Sequence, residues 1–590
     1  MSNPPRRLRV ALAVAIGAMV TTVAPALTAT SALAQPTAAP PPAAQQTVQP
    51  LKYRGSVNLR ALAAQAAKTP PATTWRPART DKARPTLVKP AASEPVPNPA
   101  PNRSLVADHS GLHGFVGITA AEQAFANNGL EVEPPDQGLC AANGLLFEQV
   151  NLGVSVYRTS GAQVTPVVSL ASFFGLAPLY NGRTYGPFTS DPRCHFDQQT
   201  RRWYVTVTEI DLDPYTGAFG NRSSILMAVS ATSDPTGSYG LFELLTSDDG
   251  SSGTPAHPGC PCFGDYPQIG ADGTAFIVTT QEFSIPGTAY NGAQVYAVSK
   301  RLLAAAATLG LQGVPPAVHL QGGQLNGGPS YRLAPAITPP GAKFPVNREY
   351  FVSTANPLTH SARSMALWAL TGTGSLDSQN PSLTLTHKLI PSRLYTDSGP
   401  AVQKPGPRPL GRQLNKPMGL IEAEGASVES PVSYVDGRVS AVIPTGFGTA
   451  VTPADRGIEW FVINPANGGS MARQGYARVA NTALMFPAIA VKADGKGVVA
   501  MSAVGPNMFP SAVYSAFDVN KGMVGPIRVA KYGQAPEDGF TCYRPGGVCR
   551  WGDYSYAFAT ESNVAFATEF VGPSARTPDL NYSTFVGTVG

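Results

Sequence analysis

The chain repeats itself, and that repetition limits its possible folds more tightly than its length does. Seven times, a polar or Pro-containing entry leads through a short strand and a turn into a longer apolar run. The runs are "LLFEQVN" from Leu145, "RWYVTVTEI" from Arg202, "TAFIVTTQEF" from Thr274, "EYFVSTANP" from Glu349, "RVSAVIPTGF" from Arg438, "GVVAMSAVG" from Gly497 and "NVAFATEFV" from Asn563. Each is followed by another strand-like segment: "GVSVYRT", "ILMAVSAT", "AQVYAVSK", "MALWALTG", "IEWFVINP", "AVYSAFDV" and "STFVGTV". Turn signals such as "ADG", "VDG" and "DPTGS" lie between strands, so the unit reads as a four-stranded antiparallel meander of roughly 55 to 90 residues.

The longer runs are apolar at consecutive rather than alternate positions, which predicts sheets covered on both faces. Sheets stacked face to face around an axis meet that requirement. The sequence therefore predicts an all-β chain, with a seven-bladed β-propeller over residues 106–590. Two packed β-sandwiches would leave the even spacing of the repeats unexplained. The seventh unit stops after its third strand, and "LHGFVGIT", Leu112 to Thr119, is placed to supply the missing outer one. A helix-like segment, "SKRLLAAAATLG", reads as a peripheral insertion in the third unit.

Ahead of the repeats, Arg6, Arg7 and Arg9 precede an apolar run from Val10 to about Val23 and then "SALA" ending at Ala34, the pattern of a signal peptide over residues 1–34. Residues 35–105 are rich in Ala, Pro, Thr and Gln and read as a disordered linker, within which "NLRALAAQAAK" has helical character. No later stretch approaches the 18 uninterrupted apolar residues of a membrane span. The expected product is secreted, extracellular or wall-associated, and monomeric.

Net charge needs to be divided before it is used. Of 43 Lys and Arg, 13 precede residue 106, against 2 of the 37 Asp and Glu, which leaves 30 basic and 35 acidic residues in the folded part. A net acidic domain argues against a nucleic-acid groove. The six cysteines all follow the linker, and an even count in an exported chain predicts disulfides. Cys542 and Cys549 flank a "YRPGGV" loop, Cys140 and Cys194 open adjacent inner strands, and Cys260 and Cys262 remain. The "CPC" spacing, with no His in register, does not read as a zinc-binding cysteine set.

Candidate chemistry sits where first strands begin and second strands end, because both reach the same rim of the channel. The beginnings carry Asp136, Asp191, Asp265 and Asp553, and the ends carry Glu209, Glu282 and Glu569. All come from units 1, 2, 3 and 7, which are consecutive in a closed ring. Arg193 and Arg550, with Tyr266 and Tyr554 of the paired "GDYP" and "GDYS" motifs, are the candidate binding residues. Clustered carboxylates can hold a hard cation, and Asp265 and Asp553 are the calcium candidates. They can also split into an acid and a base, as glycan cleavage requires. No Gly-x-Ser-x-Gly elbow, His-Glu-x-x-His, phosphate loop or dinucleotide fingerprint is present, and among the histidines His195 adjoins the predicted rim.

Taken together, "PPDQGLCAANG", "SDPRCHFDQQTRRWYVT", "AVSATSDPTGSYGLF", "CFGDYPQIGADGTAFIVTT" and "CRWGDYSYA" resemble a group of exported bacterial propeller proteins without an assigned activity. The resemblance spans the predicted folded region and implies export and a propeller, but no reaction. Sialidase-like propellers are a more distant comparison, since "GADGTAF" only echoes their Ser-x-Asp-x-Gly-x-Thr-Trp turns. The first functional expectation is a propeller that binds a glycan or protein through an acidic rim; the alternative is a glycan-active hydrolase or lyase using the same carboxylates.

Overall fold

The computed structural model describes residues 46–69, 76–77, 102–109, 111–310, 314–355, 361–397, 399–423, 425–447, 456–572 and 581–590. Contacts divide the chain into Met1–Pro42 and Ala43–Gly590, and every described residue belongs to the second unit. The predicted signal peptide and most of the predicted linker lie outside the described residues. No helix among those described is long and apolar enough to cross a membrane.

The described chain is mostly strand. Over the described residues, each of the apolar runs picked out by the repeat contributes the second strand of an antiparallel sheet, and the segment after it the third. The first sheet comprises Gly138–Ala142, Leu145–Val150, Gly153–Arg158 and Val168–Ser169. The second comprises Phe188–Asp197, Arg202–Leu212, Phe219–Ser230 and Ser238–Leu245. The third comprises Cys262–Ala271, Ala275–Ser284, Tyr290–Ser299 and Ala317–Gln321, with the helix Lys300–Leu309 ahead of its outer strand. The fourth runs through Ala334–Ile337, Arg348–Thr354, Ser361–Thr371 and Thr384–Thr396. The fifth is Val432–Val435, Arg438–Gly446, Arg456–Asn464 and Ser470–Arg478. The sixth is Ala483–Val491, Lys496–Gly505, Met508–Asp518 and Gly522–Lys531. The seventh has Tyr556–Ala559, Val564–Val571 and Tyr582–Val589, and its fourth strand is Leu112–Thr119 from the other end of the chain.

The first strand of each sheet touches the first strand of the next, and Tyr556–Ala559 of the seventh touches Gly138–Ala142 of the first. Apolar cores occupy the spaces between consecutive sheets, as consecutive apolar positions require. Tyr204 of the second sheet stacks on Phe276 of the third at 4.7 Å, and Tyr514 of the sixth stacks on Phe566 of the seventh at 5.6 Å. Phe147, Trp203 and Tyr556 share one core that joins the first, second and seventh sheets.

The closing strand is clamped by Glu148 of the first sheet. Its carboxylate accepts from the Ile118 amide at 3.0 Å and from the Thr584 hydroxyl. A Cβ at position 117 would run into that carboxylate and the Thr584 hydroxyl, so Gly117 is fixed by close approach.

The linker expectation needs correcting at residues 46–69, at Arg76–Pro77, which pairs with Leu130–Glu131, and at Leu105, which pairs with Ile527 of the sixth sheet. Gln46–Gln49 pairs antiparallel with Ala317–Gln321, and Lys52–Asn58 with Ser238–Leu245, so two sheets gain a fifth strand. Asn58 then caps the helix Leu59–Ala66 by accepting from the Ala61 amide at 3.0 Å, and Leu59 is fully buried. Averaging composition over a Pro- and Ala-rich stretch hid a short alternating segment, "QTVQPLKYRGSVN", whose partners are open outer edges.

The six cysteines form three disulfides: Cys140–Cys194 between the first and second sheets, Cys260–Cys262, and Cys542–Cys549.

Candidate functional site

First strands carry a recurrent irregularity that aims side chains inward. Asp191, Tyr266 and Phe486 have positive φ (60°, 53° and 51°), and each precedes a proline. Strand register slips at each of these places, between Ser190 and Arg193, between Asp265 and Gln268, and between Met485 and Ala488. Such a bulge adds a residue and redirects the side chains around it. Asp136, just ahead of the first sheet, also has a positive φ.

The redirected groups from several sheets meet at the middle of the cycle. The Tyr266 hydroxyl donates to the Asp553 carbonyl at 2.6 Å, and the Tyr266 and Tyr554 rings meet edge to face at 5.6 Å. The Arg193 guanidinium lies 3.3 Å from the centre of the Tyr554 ring and donates from Nε to the Pro267 carbonyl at 2.7 Å. Arg332 lies over the Tyr266 ring, 3.7 Å from its centre, and donates to the Ser427 hydroxyl at 2.7 Å. Ser430 of the loop before the fifth sheet donates to the Ser555 carbonyl at 2.6 Å. Cations over ring faces and donors on carbonyls fill this centre. Arg193, Tyr266 and Tyr554 are therefore interior residues, at most 1 % exposed, and not rim contacts as the sequence suggested.

Asp136, Asp191 and Asp553 converge beside this stack, with one oxygen from each lying within 4.8 Å of the others. Asn151, at the end of a second strand, organises them: its amide nitrogen donates to Asp136 Oδ2 at 2.6 Å, and its oxygen accepts from the Asp191 amide at 2.8 Å. Asp136 Oδ1 accepts from the Asp553 amide at 2.7 Å. Arg550 pairs with Asp553 at 2.6 Å and with Glu422 at 2.7 Å, and its side chain is 31 % exposed. Glu569 Oε2 accepts from the Gly552 amide at 2.7 Å, so the end of a second strand does meet the start of a first strand here. Burial, then the charges of Asp553 and Asp191, push Asp136 well above the usual carboxylate range. Burial and the Asp136 charge do the same to Glu569.

The remaining acids do not join this group. Glu209 accepts from the Ser224 hydroxyl and lies 3.8 Å from Arg222; burial raises it to about 7. Glu282 belongs to a separate cluster with His257 and Asn291. Asp265 lies near Tyr290, whose ionisation its charge opposes, and among the described residues it is not part of the three-aspartate group. Of the two calcium candidates, Asp553 joins the three-aspartate group and Asp265 does not, and the reason is an offset of one residue. In "SDPR" the residue before Pro is Asp191, whereas in "GDYP" it is Tyr266, so the tyrosine takes the inward place and Asp265 falls beside it. His195 is buried within its strand, its ring 5.7 Å from Phe558, and burial lowers it to about 4. His257 sits against two carboxylates, those of Glu282 and Asp248. Asn151, Arg332, Asp248 and His257 were missed from sequence; only Asn151 carried a signal, its place at a second-strand end.

Residues 356–360, 448–455 and 573–580, which follow second strands, lie outside the described residues. No family model matches the chain, and no curated protein matches it. Among solved structures it is similar to the phage phi92 endosialidase, at 7 % identity and a TM-score of 0.34, over 77 % of this chain and 67 % of that one. It is similar to the Trypanosoma rangeli sialidase in complex with sialic acid, at 10 % identity and a TM-score of 0.30, over 77 % and 59 %. It is also similar to the GH43 endo-arabinanase from Bacillus licheniformis, at 10 % identity and a TM-score of 0.26, over 68 % and 94 %.

Proposed function

We propose that the chain is an exported seven-bladed β-propeller that binds a glycan or a protein through the rim of its channel, and that its axial carboxylates hold the ring together without cleaving a bond. The closed cycle of first strands supports the blade count, and the leader-like residues 1–34 support export. The observation that carries the functional choice is the packing of Asp136, Asp191 and Asp553. Their oxygens approach within 4.8 Å while each residue is at most 2 % exposed. Glycan cleavage needs a sugar between its two carboxyl groups, and side chains at most 2 % exposed leave no open face to one. Buried carboxylates this close share a proton or a cation instead. Calcium is the cation that an all-oxygen set would take.

Retention of the purified mature chain on insoluble cell-wall and plant polysaccharides, and on intact cell envelopes, tests the binding reading. Saturable retention is the expected result. Absence of retention on every one of these surfaces would overturn it.

A further inference from the structure

A second cluster of ionisable side chains lies away from the axis, where the loop leaving the second sheet meets the third. That loop is closed on itself. Asp249 and Ala256 form an isolated bridge, and the His257 amide donates to the Asp248 carbonyl at 2.8 Å. Closure puts the Asp248 and His257 side chains next to Glu282, which projects from the second strand of the third sheet. His257 Nδ1 lies 2.9 Å from Glu282 Oε2 and 3.8 Å from Asp248 Oδ2. One donor atom from each of the three lies within 4.8 Å of the others.

Further contacts orient these donors. Asn291 Nδ2 donates to Glu282 Oε1 at 2.6 Å, and the Tyr296 hydroxyl donates to Asp248 Oδ2 at 3.4 Å. Asp248 is fully buried, and its Oδ1 has no hydrogen-bond partner among the described residues. His319 stacks on Tyr296 at 4.4 Å, and its ring is 5.7 Å from that of His257. Its Nε2 is bonded to Gln294 Oε1, which leaves the buried Nδ1 as a lone-pair donor beside the cluster.

Two sealed carboxylates, in contact with each other and with one imidazole nitrogen, form an anionic donor set that either a shared proton or a bound cation must neutralise. We propose that Asp248, His257 and Glu282 bind a divalent transition-metal ion of the zinc class. An imidazole nitrogen with two carboxylate oxygens suits zinc in four-coordination, whereas calcium takes six to eight oxygens. Asn291 and Tyr296 are positioning residues that fix the carboxylates. The Cys260–Cys262 disulfide lies against the cluster, with Cys260 Sγ 3.4 Å from Glu282 Oε1, so zinc must be shown to bind the oxidised protein.

The test uses tag-free mature chain with no free thiol, stripped by chelator and titrated with zinc chloride, with metal analysis after gel filtration. A single equivalent of zinc is expected to remain bound. His257→Ala and Glu282→Gln should weaken binding by more than a hundredfold, and Asn291→Ala by about 10- to 100-fold. His257 sits in a loop, so its variant remains interpretable if the Glu282 variant fails to fold. No retained zinc, or His257→Ala binding it as the parent does, would overturn the proposal.

Discussion

The Tyr266 hydroxyl reaches the Asp553 backbone carbonyl, 2.6 Å away in space and 287 residues away in sequence. That bond joins the two copies of the "GDY" motif directly, one from the third sheet and one from the entry to the seventh. It exists because Tyr266 takes the inward place at a strand bulge, with Arg332 on one face of its ring and Arg193 and Tyr554 nearby.

Tyr266→Phe should therefore cost stability without changing shape. It removes a buried donor and leaves the Asp553 carbonyl without that partner, at a cost of about 1–3 kcal/mol. Urea unfolding of the variant against the parent, with an unchanged m-value, checks this.

Ring closure and edge coverage predict an order of melting temperatures. A chain beginning at residue 43 should melt highest. One beginning at Ser104 keeps Leu112–Thr119 but loses the outer strands Gln46–Gln49 and Lys52–Asn58 and the helix after them. Buried Leu59 alone contributes about 1.5–3 kcal/mol, so this chain should melt lower. A chain beginning at Ala120 also loses the closing strand and should melt lowest. Equal melting of the first two would remove the role assigned to residues 46–69.

Glu148 predicts a pH dependence. Burial raises its pKa from 4.5 to about 7 in the folded chain, so the native state keeps a proton that the unfolded chain releases. Its contribution is fully present below about pH 4.5 and is lost as pH rises from there through about 7. Glu148→Gln cannot ionise, so the stability difference between parent and variant should shift against the parent across that window. A difference that stays flat with pH would show that Glu148 is ionised throughout.

What could be read from the sequence was what local pattern determines. Over the described residues, each apolar run named from Leu145 to Asn563 falls in a second strand, and Leu112–Thr119 pairs with Tyr582–Val589, because face-to-face burial writes consecutive apolar residues into the second strands. The candidate site was less legible because it depends on single-residue offsets and on loop closure. The bulge that turns Asp191 inward turns Tyr266 inward at the matching place, which leaves Asp265 beside the group it was expected to join. Glu282 finds its partners through a loop that folds back between Asp248 and His257, and no periodicity marks such a loop. The strands at 46–58 were masked by the composition around them.

The axial aspartates separate a structural role from a catalytic one. Asp136→Asn together with Asp553→Asn removes charge while keeping shape, and the reading here gives those carboxylates a role in holding the ring without catalysis. The decisive measurement is the release of new reducing ends from a panel of cell-wall and plant polysaccharides by the parent and by this double variant. No release by either protein is expected. Release by the parent that the double variant abolishes, with the variant still folded, would contradict the structural role and assign those carboxylates to glycan cleavage.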